Sequence, residues 1–328
     1  MPELDARGAR PRSMIRWPVI LGAVVGVGVT FGILSNWDGI AEQRDGITRA
    51  AWVLPGLVGL HLGQLLLAGM AWRGLFAGSR PRLSVFYRLR IIREGIDSLL
   101  PVAQIGGEIV GARLLSRHGI APSRAGASVI VDVTIELITQ VAFLVAGLCA
   151  LAWLSHGASW QIWLEALLGG AAATAGLLLA QRFGMLRALE VLLRGIAQRW
   201  PVLAGASLDG IHAAALGFYR QPMALLLSVG LHLLAWMLGS IETWAVLNAI
   251  GVPTTPLQAF TVESLGMAAR SAGFAIPAAL GAQEGGFVLA AAALALPIGP
   301  ALALSLVKRI REVLVGGVGL TLWRLAVR

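Results

Sequence analysis

Residues 125–154 read AGASVIVDVTIELITQVAFLVAGLCALAWL. The run exceeds the roughly 20 apolar residues that a membrane-crossing helix needs. Asp132 and Glu136 are its only charges. They lie four apart, which puts both carboxylates on one helix face. A charge at the bilayer centre costs roughly 2.5–3.5 kcal/mol on insertion scales, so it persists where it is paired or functional. The stretch therefore predicts a spanning helix that turns a polar face toward other helices.

Five further segments complete the same pattern: residues 17–34, 50–72, 162–180, 222–250 and 301–323. Across the 328 residues, 57% are hydrophobic and 13% charged. A soluble domain carries about 25% charged residues. A water-soluble globule, a disordered chain and a secreted disulfide scaffold are excluded. The expectation is an all-α polytopic membrane protein with six spans. The first segment follows Arg7, Arg10, Arg12 and Arg16 without a small-residue cleavage site, and is read as a retained anchor.

Net charge is +9, and Lys308 is the only lysine among 26 basic residues. In a membrane chain this excess marks cytoplasmic loops facing anionic headgroups rather than nucleic acid. The basic N-terminus, the cluster Arg73, Arg80, Arg82, Arg88, Arg90 and Arg93, the group Arg182, Arg187, Arg194 and Arg199, and the terminal Arg324 and Arg328 are assigned to the cytoplasm. Residues 155–161 and 251–258 carry no Arg or Lys and are assigned outside. Both termini are then cytoplasmic, and the location is the bacterial inner membrane.

Residues 83–116 and 259–296 are interrupted by Pro, Gly and charge. They are too polar for lipid-facing helices and too apolar for solvated loops. Broken backbone at membrane depth survives only inside protein or beside a watery cavity, so both are read as re-entrant helical hairpins. Residues 184–200 alternate Arg with apolar residues, as does a helix lying on the membrane surface. Residues 204–219 fit either an interfacial helix or a weak extra span.

The pentapeptide Val-Gly-Leu-His-Leu occurs at 58–62 and again at 229–233. An ungapped offset then sets Pro101 opposite Pro277, Glu108 opposite Glu284, Asp132 opposite Lys308 and Glu136 opposite Glu312. A first repeat of about 50–154 and a second of about 222–324 are expected, joined by the basic amphipathic segment at about 182–220. The orientation argument makes them inverted, an architecture found in transporters.

Two groups of polar residues are candidates. Asp132, Glu136, Lys308, Arg309, Arg311 and Glu312 are expected to form a buried charge network, either as structural ion pairs or as a headgroup or ion site. Asp132 and Lys308 are its expected partners across the repeats. Gln104, Gly106, Gly107, Glu108, Arg113, Arg270, Gln283 and Glu284 surround the two turns. The glutamates there either cap the helices that follow or line a cavity with the freed amides. Arg113 and Arg270 suit a phosphate, or pair with Glu94, Asp97 and Glu263. Glu242 is a further buried carboxylate. His61 and His232 are read as packing groups, Cys149 as core, and Trp17, Trp37, Trp72, Trp153, Trp160 and Trp200 as an interfacial belt.

No H-E-x-x-H, P-loop or G-x-S-x-G motif is present. No cofactor, no metal and no enzymatic activity are expected. Residues 99–108 (LLPVAQIGGE), 127–136 (ASVIVDVTIE) and 281–286 (GAQEGG) resemble the flippase-like transmembrane region of the lysylphosphatidylglycerol synthases. The stand-alone branch associated with hopanoid biosynthesis is most similar, and residues 305–309 look typical of it. The sequence stops at Arg328, so the aminoacyl-transfer domain of the synthases is expected to be absent and synthase activity is not carried over. The resemblance implies movement of an amphiphilic lipid between leaflets, with membrane lipids and proteins of hopanoid or lipid biosynthesis as partners. The alternatives are a non-transporting scaffold for a lipid-biosynthetic enzyme and an intramembrane lipid-modifying enzyme.

Overall fold

The computed structural model describes residues 39–76, 81–100, 106–155, 208–273, 279 and 281–327. Within them the chain is helical, with no strand. The elements are α1 (Gly39–Gly74), α2 (Leu83–Leu99), α3 (Gly106–Ser116), α4 (Pro122–Leu154), α5 (Leu208–Tyr219), α6 (Pro222–Ile250), α7 (Pro256–Ala272), α8 (Ala282–Ala293) and α9 (Ile298–Val327).

Local chemistry sets several boundaries. Proline takes the first helical position of α4, α6 and α7, where its missing N–H costs nothing. Thr255 caps α7: its hydroxyl accepts from the Gln258 amide (3.2 Å), and the Gln258 side chain accepts from the Thr255 amide (2.9 Å). Gly251 ends α6 with φ 102°, a left-handed conformation that glycine adopts without strain.

Among the described residues, three helices are long and apolar enough to cross a membrane: Gly46–Gly74, Pro122–Leu154 and Pro222–Ile250. They contain three of the expected segments. The segment at 301–323 lies in α9, which has 30 residues, but Lys308, Arg309, Arg311 and Glu312 interrupt its apolar character. The segments at 17–34 and 162–180, and the amphipathic stretch at 184–200, lie outside the described residues. The ambiguous stretch at 204–219 ends in α5, and its residues 204–207 lie outside the described residues.

The described helices run long, short, short, long twice over. The first set is α1 to α4, with 36, 17, 11 and 33 residues. The second is α6 to α9, with 29, 17, 12 and 30. Their packing corresponds pair by pair. α2 packs on α9 and α7 on α4; α1 packs on α2 and α6 on α7; α1 packs on α9 and α6 on α4; α1 and α6 pack on each other. α2 and α7 thus each lean on the last long helix of the other set, whereas α3 and α8 pack within their own.

Two apolar clusters bracket a polar layer. Along α1, Leu57 belongs to one cluster and Trp72, Leu75 and Phe76 to the other. Along α9, Leu304 and Val307 belong to the first, and Leu320 and Trp323 pack against the second. Between these positions stand His61 on α1 and Lys308 to Glu312 on α9, all but Ile310 buried. Trp72 is fully buried in its cluster instead of standing at an interface, and Trp153 is 70% exposed. Cys149 is exposed on α4, not core: its side of the helix packs against nothing described.

Candidate functional site: a charged cavity at the middle of the long helices

A cavity of about 280 Å³ opens in this polar layer. Every long helix contributes near its middle: His61 and Gln64 from α1, Glu136 and Gln140 from α4, His232 and Trp236 from α6, Lys308, Arg311 and Glu312 from α9. The short helices add Arg90, Arg93, Glu94 and Asp97 from α2, Glu108 from α3, Glu263 and Arg270 from α7, and Gln283 from α8.

One wall is built on Asp132, which has no exposed surface. Its carboxylate accepts from Arg90 Nη2 (2.9 Å), Arg93 Nη1 (3.1 Å) and His232 Nε2 (3.3 Å). Arg90 also donates to Glu136 (3.1 Å), and Arg93 reaches Glu108. Arg90 and Arg93 are three apart on α2, and Asp132 and Glu136 four apart on α4, so two helix faces mesh charge against charge. The Arg93 guanidinium lies over the Trp72 ring, 5.0 Å from its centroid, and Trp72 donates to Ser128 (3.0 Å). Asp132, Glu136 and His232 have the mutual spacing of a metal site, but Arg90 already bridges the two carboxylates.

The other wall is built on α9. Lys308 donates to Glu263 (2.7 Å), which also accepts from Thr243 (2.6 Å). Arg311 pairs with Glu242, and Lys308 lies 3.9 Å from the same carboxylate. Arg270 donates to Glu312 and to Gln283 (2.8 Å). Arg309 donates to Glu312 (3.1 Å) and to Glu284 (3.1 Å). Taking ions out of water costs several kcal/mol each, and mutual attraction offsets that only where hydrogen bonds satisfy the remaining atoms. The shared partners meet that condition in part: Arg90 Nε, Arg93 Nε, Arg311 Nε and Glu242 Oε1 are buried without a hydrogen-bond partner among the described residues.

The family model described as "Lysylphosphatidylglycerol synthase TM region" matches residues 19–319. The chain belongs to the lysylphosphatidylglycerol synthase transmembrane family. This is a membrane family with lipid-related function. No curated protein and no solved structure is significantly similar to the chain.

In this family member the structure gathers Glu108, Arg270, Gln283, Asp132, Glu136, Lys308, Arg311 and Glu312 into one network, with Arg309 and Glu284 just behind it. Glu284 takes the capping role and stands behind the cavity instead of lining it. One carboxylate oxygen accepts from the Gly281 amide (2.8 Å), capping α8, and the other from Arg309 and Ser305. Gly106 and Gly107 open α3, and the Gly107 amide donates to Asp97 (2.8 Å). Arg113 stands in the last turn of α3, outside the cavity lining. Gln104 lies outside the described residues.

The expected pairing of Asp132 with Lys308 is wrong. Each has its own partners, because α2 supplies arginines to Asp132 and α7 supplies Glu263 to Lys308. Arg90 and Arg93 are not cytoplasmic loop charges either; they are 6% and 2% exposed. Glu94, Asp97 and Glu263 do not pair with Arg113 or Arg270: they bond His61, the Gly107 amide and Lys308. His61 and His232 are more than packing groups, since both face carboxylates. The signal for the missed arginines was their spacing of three, complementary to that of Asp132 and Glu136.

Proposed function

We propose that the protein is a flippase-like transporter that moves an amphiphilic lipid between the leaflets of the bacterial inner membrane. The observation that carries this reading is the charged cavity, set at the middle of four long helices and reached by short helices from both halves. A headgroup would traverse this polar layer while its acyl chains stay in lipid. Scaffolding of an enzyme needs no such cavity; a transport path between the two broken stretches would reach Glu108 and Glu284, and the cavity reaches Glu108 and, beside Glu284, Gln283.

The matched helix order and packing support an inverted duplication. α2 with 17 residues and α3 with 11 reach about 26 and 17 Å, short of a bilayer core, which supports re-entrant hairpins. α9 is long enough to serve as a span despite its charges, because its partners neutralise them inside the protein. We read six spans with both termini cytoplasmic, no catalysis, and a link to hopanoid or phospholipid metabolism.

The test is a leaflet-resolved assay in proteoliposomes, using short-chain fluorescent analogues of phosphatidylglycerol and phosphatidylethanolamine. Protein-dependent exchange that falls on Lys308→Met or Arg270→Gln supports the reading. Monodisperse, correctly inserted protein that moves none of the lipids overturns it.

A further inference from the structure

We propose that His61 and Glu94 form a proton-binding site on the cavity wall, through which lipid movement is linked to proton movement; this rests on the transport reading above. Most carboxylates facing the cavity are held by a guanidinium or ammonium. Glu108 has Arg93, Glu136 has Arg90, Glu263 has Lys308 and Glu312 has Arg270. Arg does not release its proton in proteins, so Glu108, Glu136 and Glu312 face a cation at every pH.

Glu94 is held differently. Ser98 donates to it (3.0 Å), and its only ion-pair neighbour within 4 Å among the described residues is His61 Nε2, at 3.5 Å. His61 is 7% exposed. In the tautomer protonated at Nδ1, that nitrogen donates to the Gln64 side-chain oxygen 2.9 Å away. The buried Nε2 has no hydrogen-bond partner. In the neutral ring Nε2 is then a lone pair facing a carboxylate, two acceptors in opposition. One added proton turns that opposition into an imidazolium–carboxylate pair. Imidazole is the side chain whose ordinary protonation range lies near neutrality.

The twin of His61 in the repeated pentapeptide shows the contrast. His232 also meets a carboxylate, Asp132, but Asp132 is already fixed by Arg90 and Arg93. One histidine is locked in a permanent ion cluster, whereas the other shares a carboxylate with a hydroxyl alone. Other charges surround the pair. On α2, Asp97 lies one turn from Glu94. Arg270 of α7, Arg311 and Lys308 of α9 and Glu136 of α4 line the same cavity, and Glu242 of α6 stands behind it. The fields of Arg270 and Arg311 act directly on Glu94.

The step balances simply. Hydronium in the cavity gives its proton to His61 Nε2 and leaves water; the reverse step releases it when the cavity faces the other side. With the proton bound, the Glu94 charge is answered by His61. Without it, that charge is left to Arg270 and Arg311, so the grouping of charges around a headgroup changes with one proton.

The experiment uses the full chain in proteoliposomes with the same fluorescent lipids, at equal pH on both sides and with about pH 6 opposed to about pH 8 across the membrane. The expected result is that the gradient shifts the leaflet distribution several-fold in wild type. His61→Gln and Glu94→Gln should each lose the gradient effect on the exchange that they retain at equal pH. A gradient effect retained in both variants, or absent from an exchanging wild type, overturns the proton site. If the wild type exchanges no lipid, the transport reading fails instead, and ¹⁵N-histidine NMR of the detergent-solubilised protein decides the site alone. A His61 signal whose pH response is altered by Glu94→Gln supports it; one indifferent to that change rejects it.

Discussion

Asp132→Asn removes the charge on which three neighbours converge. The carboxylate is wholly buried and holds Arg90 at 2.9 Å, Arg93 at 3.1 Å and His232 at 3.3 Å. Stranding a buried charge costs about 3–5 kcal/mol. Here Glu136 still holds Arg90, and Glu108 still holds Arg93. The loss should therefore fall at the lower end, about 3 kcal/mol, roughly a hundredfold in the folded-to-unfolded ratio. Arg93→Met in the same molecule removes the stranded cation, so the double change should cost about 1–2 kcal/mol less than the sum of its parts. Asp132→Asn with Lys308→Met should instead add to within about 0.5 kcal/mol, because those residues have separate partners. Reversible unfolding in mixed micelles, followed by fluorescence of the 11 tryptophans, measures all of these. An Asp132→Asn variant within about 0.5 kcal/mol of wild type, or stronger coupling of Asp132 to Lys308 than to Arg93, would refute the assignment.

Two further outcomes follow from the same geometry. Lys308→Met and Glu263→Gln should couple strongly in an equivalent cycle, each alone costing about 3 kcal/mol, since the pair is 2.7 Å apart and at most 3% exposed; additive losses would show that the pair carries no net interaction. In a Cys149→Ala background, an impermeant thiol reagent applied outside intact cells should label Ser159→Cys and spare Arg194→Cys, and the opposite pattern would reverse the proposed orientation.

The amount legible in the sequence differed by element. Long apolar helices were legible because periodicity matters little when nearly every residue is apolar. α4 and α6 appear at the expected places, with α6 bounded by Pro222 and Gly251 as the sequence marks it. The broken stretches announced themselves through proline and glycine. Among the site residues, the mid-helix charges Asp132, Lys308, Arg311 and Glu312 were legible because hydrocarbon makes each one costly. Arg90 and Arg93 were not, since counting arginines by position cannot distinguish a cytoplasmic loop from a buried helix face. Partner choice was likewise invisible. An offset that sets Asp132 opposite Lys308 carries no information on contact, and each residue has partners of its own.

The placement of charge and of small residues implies which surfaces can move. The charges of α2 pair with α4, and those of α7 pair with α9, each within its own half. The closest backbone packing runs the other way. Gly95 of α2 lies against α9, where an added Cβ would meet the Gly316 carbonyl at 2.5 Å. Gly147 of α4 lies against α7, where an added Cβ would stand 2.6 Å from the Ser264 Cβ. Arginine and lysine pairs thus tie α2 to α4 and α7 to α9, whereas glycine contacts, with the His232–Asp132 pair and the Gln140–Ser271 hydrogen bond, join the first set of helices to the second. Such small-residue crossings depend on close approach rather than on directional bonds. A displacement of one set against the other would leave the arginine and lysine pairs intact and would break the His232–Asp132 contact. Gly147→Ala tests the close approach directly. Ser264 is 1% exposed and cannot turn away, so the helices must separate, at about 1–3 kcal/mol. Gly230→Ala on α6 is the control, with nothing within 4 Å of the added methyl. It should leave stability unchanged or raise it by about 0.5–1 kcal/mol through helix propensity. Equal stability of the two variants would show that α4 and α7 are not held at glycine distance, and that the two halves meet less closely than this packing requires.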